Sequence, residues 1–524
     1  MKRSLVDLVG QSLMLSFEGR QATPDVLKAL AETRANGVIL FAHNIGSPAE
    51  LHALNRQLQA YAAAIGLPPL LIAIDQEGGT VTRLRAPLTT PPSQMAQAAT
   101  GDAAAAYDCA RITGRQLRAF GINVNFAPVL DVNCNPANPV IGTRSFGQDA
   151  AAVGEFALAA LRGYHEAGVI ATGKHFPGHG DTDIDSHLGL PTVRHERARL
   201  DQIELAPFVA ALRAGIPALM SAHIIFAALD EHPATLSAPI LTDLLRHRLG
   251  FDGLVFTDAL DMQAVAAQYA PAEAALRSKA AGADVLLPLG SLESQIGVAR
   301  ALAAAVEAGH LSREAFEATA RRLDALRATY RITHELPPYE EPDPALYDAA
   351  LEIARRSVTL IGGKGALPLA RETRLALIDC VLPRFSLVEE AFERAALLRS
   401  LVAGAFPNST SLALSPNLTD DDLAQARALA EESDVVVLVT RNAALIAEQA
   451  RLARMLAALG RLLIHVAARS PYDAAVVSGA AATLLTYGDP DVSLHALVDV
   501  LAGRSRPTGS LPVTLPAALQ GVVN

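Results

Sequence analysis

The sequence predicts an α/β protein, with an N-terminal (β/α)8 TIM-type barrel and a C-terminal α/β sandwich domain. Three observations carry this. Residues 1–335 contain eight short apolar runs separated by longer Ala/Leu-rich helical patterns. Many of those runs end in polar residues, and strands of a barrel end on its catalytic face. A Pro- and Glu-rich stretch then breaks the pattern, and four further runs alternate with helices beyond it. The chain has 524 residues, more than one ordinary domain takes, and 51% of them are hydrophobic, enough for two large cores.

In chain order the eight runs are LMLSF (13–17), GVILF (37–41), PLLIAID (69–75), INVNFAPVLDV (122–132), GVIATGKH (168–175), ALMSAH (218–223), GLVFTDA (253–259) and ADVLLPL (283–289). Each is rich in Leu or β-branched residues and most follow a Gly or Pro breaker, as strands buried on both faces do. Asp75, Asp131, Lys174 with His175, His223 and Asp258 fall at run ends. Elsewhere in such strands a polar group would be buried at a cost. HELPPYEEPDPALYDA, from His334, reads as a linker and is placed at 336–350. Residues 351–524 follow as a smaller layered domain, with strands expected at LALID (375–379), DVVVLV (434–439), LLIHVAA (462–468) and ATLLTYG (482–488). No G-x-G-x-x-G opens a helix there, so no dinucleotide site is expected. IGGKG (361–365) lacks P-loop spacing and reads as a surface turn.

Composition narrows the function. A net charge of −10 without a basic block argues against nucleic acid. No apolar run reaches the roughly 18 residues of a membrane span. MKRSLVDLVGQSLMLSFEG lacks a sustained apolar segment and is read as mature sequence. Three widely spaced cysteines, Cys109, Cys134 and Cys380, form neither a disulfide framework nor a zinc spacing. Both features point to the cytoplasm. Tryptophan is absent, which favours a small soluble ligand over a stacked polymer. The sequence carries no signal for an oligomeric state.

The chemistry concentrates in KHFPGHGDTDIDSHLGLP (174–191). Pro177, Gly178 and Gly180 break any helix, so this is a long loop after the fifth strand, on the face where barrels carry function. His175, His179, Asp181 and Asp185 have the chemistry of metal ligands. Helical i, i+4 spacing is ruled out for them by the breakers, so no metal is expected. Asp185 and His187 lie two apart, on the same side of an extended loop. A carboxylate on one imidazole nitrogen fixes the tautomer and leaves the other to move a proton. His179 and Asp181 are expected to shape the loop. Asp258, at a strand end, is either a helix cap or a nucleophile. Asp261 is expected to cap or face the next helix dipole. In DQEGG (75–79), Asp75 and Glu77 are expected on different sides of a glycine turn, with Asp75 accepting from sugar hydroxyls. Arg83 and Arg144 are candidate donors, though an Arg in a loop is more often a solvated surface group.

Together KHFPGHGDTDIDSHLGLP, DQEGG, IGTRSFG and VFTDALDM resemble glycoside hydrolase family 3, and more narrowly its β-N-acetylglucosaminidase branch. The resemblance runs over nearly the whole chain; RPTGSLPVTLP (506–516) is similar to the segment that closes the family's second domain. It implies a retaining double displacement without metal or cofactor on a small-molecule glycoside. By matching motif, Asp258 would be the nucleophile and His187 the acid/base, with Asp185 as its partner. Asp75, Arg83, Arg144, Lys174 and His175 would bind the non-reducing N-acetylglucosamine. Thr80 and His43 stand where the family often carries arginine. The resemblance implies an exo-β-N-acetylglucosaminidase acting on cell-wall fragments or chito-oligosaccharides. The alternatives are an N-acetylglucosaminide phosphorylase, a β-glucosidase or β-xylosidase of the same family, or a silent sugar-binding protein.

Overall fold

A computed structural model describes residues 3–363, 365–391 and 394–516 of the chain. Each of the eight expected runs holds one barrel strand. They are β1 (Met14–Leu15), β2 (Gly37–Leu40), β3 (Leu71–Ile74), β4 (Val124–Asn125), β5 (Ile170–Phe176), β7 (Ala218–Ser221), β9 (Leu254–Ala259) and β10 (Val285–Leu287). All neighbours pair in parallel. A parallel bridge between Leu13 and Leu286 and the Leu286 N–H on Ser12 O at 2.9 Å bring the last strand back to the first. The fourth strand is far shorter than its apolar run. Pro128 lacks an N–H and cannot donate to a ladder, so regular pairing ends at Asn125, while Ala127 O and Pro128 O still accept from Thr172 and Lys174 of β5 at 2.9 and 3.2 Å.

Side chains alternate across these strands. Met14, Ile39, Ala73, Phe126, Met220, Phe256 and Leu287 turn inward and fill the barrel. Phe126 and Phe256 meet edge to face with ring centroids 5.3 Å apart, near the floor on which the site rests. The outward set packs against the surrounding helices in a separate core. Two short strands not expected from the sequence, β6 (Thr192–Val193) and β8 (Ile225–Phe226), pair with each other outside the barrel. They tie the end of the 174–191 loop to the loop after β7, with Ile225 N–H on Pro191 O at 3.0 Å.

The helix Pro344–Ser357 begins inside the stretch expected to be linker, with Asp343 as its cap. It packs on the C-terminal helix Asp491–Leu501 through Arg355 and Asp499 at 2.7 Å. The second sheet has the order β11-β16-β15-β14-β12-β13. The four expected runs are β12 (Leu375–Cys380), β14 (Val435–Thr440), β15 (Leu462–Ala467) and β16 (Ala482–Leu485). The two edges were not expected. β11 (Thr359–Ile361) is only three residues long and antiparallel, and it leads into IGGKG, whose Lys364 lies outside the described residues. β13 (Ser409–Leu414) is polar and half exposed, so it lacks the continuous apolar run of a central strand. Val435, Val437 and Val439 face one helix layer, while Val436 and Leu438 face the other, which makes the domain a three-layer sandwich. RPTGSLPVTLP straps this domain to the barrel: Ser510 N–H donates to Ala99 O at 2.8 Å, and Thr514 N–H to Gln148 Oε1 at 2.8 Å.

The barrel filling is tested by Phe256→Ala. It should destabilise the protein by about 3–5 kcal/mol, because the close-packed interior collapses only partly around a lost ring. The urea-unfolding midpoint reads this out; an unchanged midpoint would contradict the packing.

Candidate active site

The C-terminal ends of the barrel strands open into a cavity of about 700 Å³. Asp75, Arg83, Arg144, Lys174, His175, His187 and Asp258 all line it. Seven of the eight residues picked from the sequence therefore converge. The eighth, Asp185, stands behind His187.

The deep wall is an ion network. Lys174, carried by β5, places Nζ 2.6 Å from Asp75 Oδ1 and 2.7 Å from Glu77 Oε1. Arg144, in a short turn at Gly142–Arg144, makes a two-pronged bond to Glu77 at 2.8 and 2.9 Å. Burial pushes the Glu77 carboxyl up, but the two cations outweigh it and hold it at about 2. Asp75 and Glu77 thus face the same ammonium, not different sides of their turn as expected. Gly78 and Gly79 have φ of +93° and +59° and fold the chain back, with Glu77 N–H on Val81 O at 3.0 Å, which turns Glu77 inward.

His175 is fixed from below. Asp131, at the end of the fourth run, accepts from its Nδ1 at 2.7 Å and its backbone N–H at 3.1 Å. Asp131 also accepts the His179 N–H at 2.7 Å, so one buried carboxylate ties both ends of the HFPGH turn. The His179 ring bonds Thr182 Oγ1 at 2.9 Å and Ser186 Oγ at 3.1 Å. Burial pushes it down to about 4, so it is a neutral spacer that shapes the loop, as expected. Asp181 is bound by Nε2 of His195 at 2.5 Å and by Arg199 at 3.4 Å. Cys134, Asp181 and Glu204 lie close enough to share an ion, but Arg199 already reaches all three.

The rest of the loop carries the dyad. Asp185 Oδ1 bonds His187 Nδ1 at 2.7 Å and the His187 N–H at 2.9 Å, leaving Nε2 free. Burial pushes the Asp185 carboxyl up; the bonds from His187 outweigh it and hold it below the ordinary range. Lining the same cavity, Asp258 is the fifth residue of β9 and Ala259 the sixth. Asp258 Oδ1 accepts the Ala259 N–H at 2.8 Å. Burial raises its carboxyl, but His223, His175 and His187 together hold it below the ordinary range, so it is a carboxylate at neutral pH. His223, whose Nε2 donates to Ala259 O at 2.9 Å, is the remaining partner.

The second domain reaches this cavity. The segment after β12 brings Val388 O to 2.8 Å from Arg83 Nη1 and Glu390 to 3.3 Å. Arg83 also faces Asp75 at 3.7 Å. Behind that segment, Arg469 joins Glu389 at 3.2 Å to Asp489 at 3.4 Å, and Arg441 holds Asp489 at 2.7 Å. Sequence reasoning missed Glu77, Asp131 and His223 as working parts of the site. Their positions at strand ends or in DQEGG were the available signal. For Val388 and Glu390 there was none, because their place depends on how two domains meet.

Two family models match the chain: the glycosyl hydrolase family 3 N-terminal domain over residues 5–326 and the family 3 C-terminal domain over residues 282–524. The chain belongs to glycosyl hydrolase family 3. This family 3 chain is 38% identical to a family 3 β-N-acetylglucosaminidase of Paenibacillus sp. str. FPU-7, whose structure superposes with a TM-score of 0.92 over 98% of this chain and 99% of that one. It is 30% identical to β-hexosaminidase A of Pseudoalteromonas piscicida over 97% of this chain and 96% of the relative. It is 39% identical to a β-hexosaminidase of Thiobacillus denitrificans (strain ATCC 25259 / T1) over 52% of this chain and 77% of the relative. Among the described residues no helix is long and apolar enough to cross a membrane.

The Glu77 network sets a pH dependence. Its folded pKa of about 2 lies below the ordinary 4.5, so its stabilisation is complete above pH 4.5 and is lost as pH falls toward 2. Glu77→Gln should cost about 3 kcal/mol at neutral pH, since each pKa unit is worth about 1.4. The cost should shrink as both proteins are unfolded at falling pH through that window. A difference independent of pH would contradict the ion network.

Proposed function

We propose that this chain is a β-hexosaminidase-type glycoside hydrolase, a retaining exo-β-N-acetylglucosaminidase. The observation that carries the reading is a shared cavity lined by an ionised Asp258 and by a His187 held at Nδ1 by Asp185, close enough for the imidazole to act on the carboxylate's charge. The relatives named above support the acetamido sugar as substrate.

In the first step an oxygen of Asp258 attacks the anomeric carbon. The glycosidic C–O bond breaks as His187 Nε2–H gives its proton to the departing oxygen, and a glycosyl ester remains on Asp258. In the second step water attacks the same carbon, His187 Nε2 takes the proton, and the Asp258 carboxylate leaves. The configuration is inverted twice and so retained. Most retaining glycosidases use two carboxylates for these tasks. Here an imidazole does the proton work, and Asp185 holds its tautomer and stabilises the imidazolium. Deep in the cavity, Asp75, Arg144, Lys174 and His175 bind the hydroxyls of the terminal sugar through charge-assisted bonds. The Glu77, Asp131 and Arg83 contacts hold those groups in place before substrate arrives, which is where such sites gain rate. The closed inner end of the cavity fits removal of one terminal residue at a time. Three free cysteines support a reducing compartment such as the cytoplasm.

Asp258→Ala should lower release of p-nitrophenol from its β-N-acetylglucosaminide at least 10³-fold; full activity would remove Asp258 from the role. His187→Ala should slow natural disaccharides, which need a protonated leaving oxygen, far more than the activated aryl glycoside. Equal losses on both would contradict the acid role. Product analysis with and without phosphate separates free N-acetylglucosamine from its 1-phosphate.

A further inference from the structure

The charges expected to hold the sugar cancel one another. Arg83, Arg144 and Lys174 pair with Asp75 and Glu390, which line the same cavity, and with the buried Glu77. On the side of the nucleophile the balance is different. Asp261 lines the cavity three residues beyond Asp258 and its side chain is exposed there. Among the described residues it makes no hydrogen bond or ion pair with another side chain. It is not used as the helix cap that the sequence suggested. The short helix Gln263–Ala266 starts from Met262 and has no side-chain cap bond. Partial desolvation and the neighbouring Asp258 push the Asp261 carboxyl up, against smaller opposing effects of His223 and His187.

Depth along the cavity assigns this residue a side. Lys174 and Arg144 have side chains only 2% and 4% exposed, at the closed end. Glu18, another lining acid, is 90% exposed and marks the mouth; the His43 ring lies 3.7 Å from it. A terminal sugar held at the closed end presents its anomeric carbon to Asp258. In the proposed reaction the departing sugar then lies toward the exposed lining residues, Glu18 and Asp261 among them.

We propose that Asp261 is a specificity-determining residue for the leaving group: it favours a departing 2-amino-2-deoxy sugar, which carries an ammonium, over a departing sugar that carries a carboxylate. The class of substrate is a partly deacetylated chito-oligosaccharide and not an N-acetylmuramic acid fragment. This rests on the proposed function above. The effect is a charge pair near solvent, so it is modest in size and weakened by salt.

The test compares kcat/KM for three disaccharides with a non-reducing β-N-acetylglucosamine. Their reducing sugars are glucosamine, N-acetylglucosamine and N-acetylmuramic acid. At about pH 6, below the ordinary range of an amine, the wild-type protein should prefer the cationic over the neutral leaving sugar roughly threefold at low salt. It should disfavour the carboxylate by a similar factor. Asp261→Asn and raised salt should each bring both ratios toward one, while Asp261→Glu, which keeps the charge, should retain them. The inference is overturned if the carboxylate-bearing disaccharide is cleaved as well as the neutral one, or if Asp261→Asn leaves both ratios where they were. Failure of the wild type to cleave any of the three, or the aryl glycoside, would overturn the proposed function itself and this inference with it.

Discussion

Glu77 is a buried carboxylate that must stay ionised, and the inner half of the site depends on it. Its two oxygens take the forked guanidinium of Arg144 and the ammonium of Lys174. Both cationic side chains are almost wholly buried, only 4% and 2% exposed. Removing one partner from such a set leaves an uncompensated charge in a medium that solvates charge poorly, which costs several kcal/mol. With Glu77 in place, Lys174 still has a hydrogen for Asp75, and Asp75 still faces Arg83. Five charged side chains from three stretches of chain are thereby fixed relative to one another before any ligand arrives.

The outer half depends on a loop that lacks regular structure and is held by side chains instead. Asp131 grips both ends of its first turn, His179 spaces Thr182 from Ser186, and β6 and β8 anchor its far end. Between those fixed points Asp185 and His187 flank Ser186, whose hydroxyl meets His179 and whose carbonyl accepts the Ala264 N–H. Ile184 and Leu188, on either side of the dyad, are exposed apolar residues. In the proposed two-step reaction one imidazole serves both a departing sugar and an arriving water, and the Asp185 and Ser186 contacts are what position it.

Much of this was legible in the sequence. The barrel strands announced themselves because strands buried on both faces need unbroken apolar runs, and their polar ends needed a reason to be there. GVIATGKH and GLVFTDA gave both the strand and the residue at its end. Convergence was harder to read. Spacing alone left Asp258 between cap and nucleophile, and only the matched motifs separated the two. The divergence expected of Asp75 and Glu77 fails because the sequence shows that glycines permit a sharp turn but not which way it bends. Asp261 was given to a helix cap on position alone. The edge strands β11 and β13 were invisible since edges need no apolar run. The contribution of Val388 and Glu390 depends on a docking of two domains some 300 residues apart in sequence, for which local pattern holds no information.

The central claim is that Asp258 takes the sugar covalently. The direct measurement is mass spectrometry of the protein after reaction with a slow fluorinated N-acetylglucosaminide, followed by proteolysis. The account predicts a stable mass increase of one fluorinated sugar, confined to the peptide containing Asp258 and absent when a competing terminal-sugar inhibitor is present. An adduct on another residue would contradict it. So would turnover with no adduct, the sugar's own acetamido oxygen having displaced the leaving group.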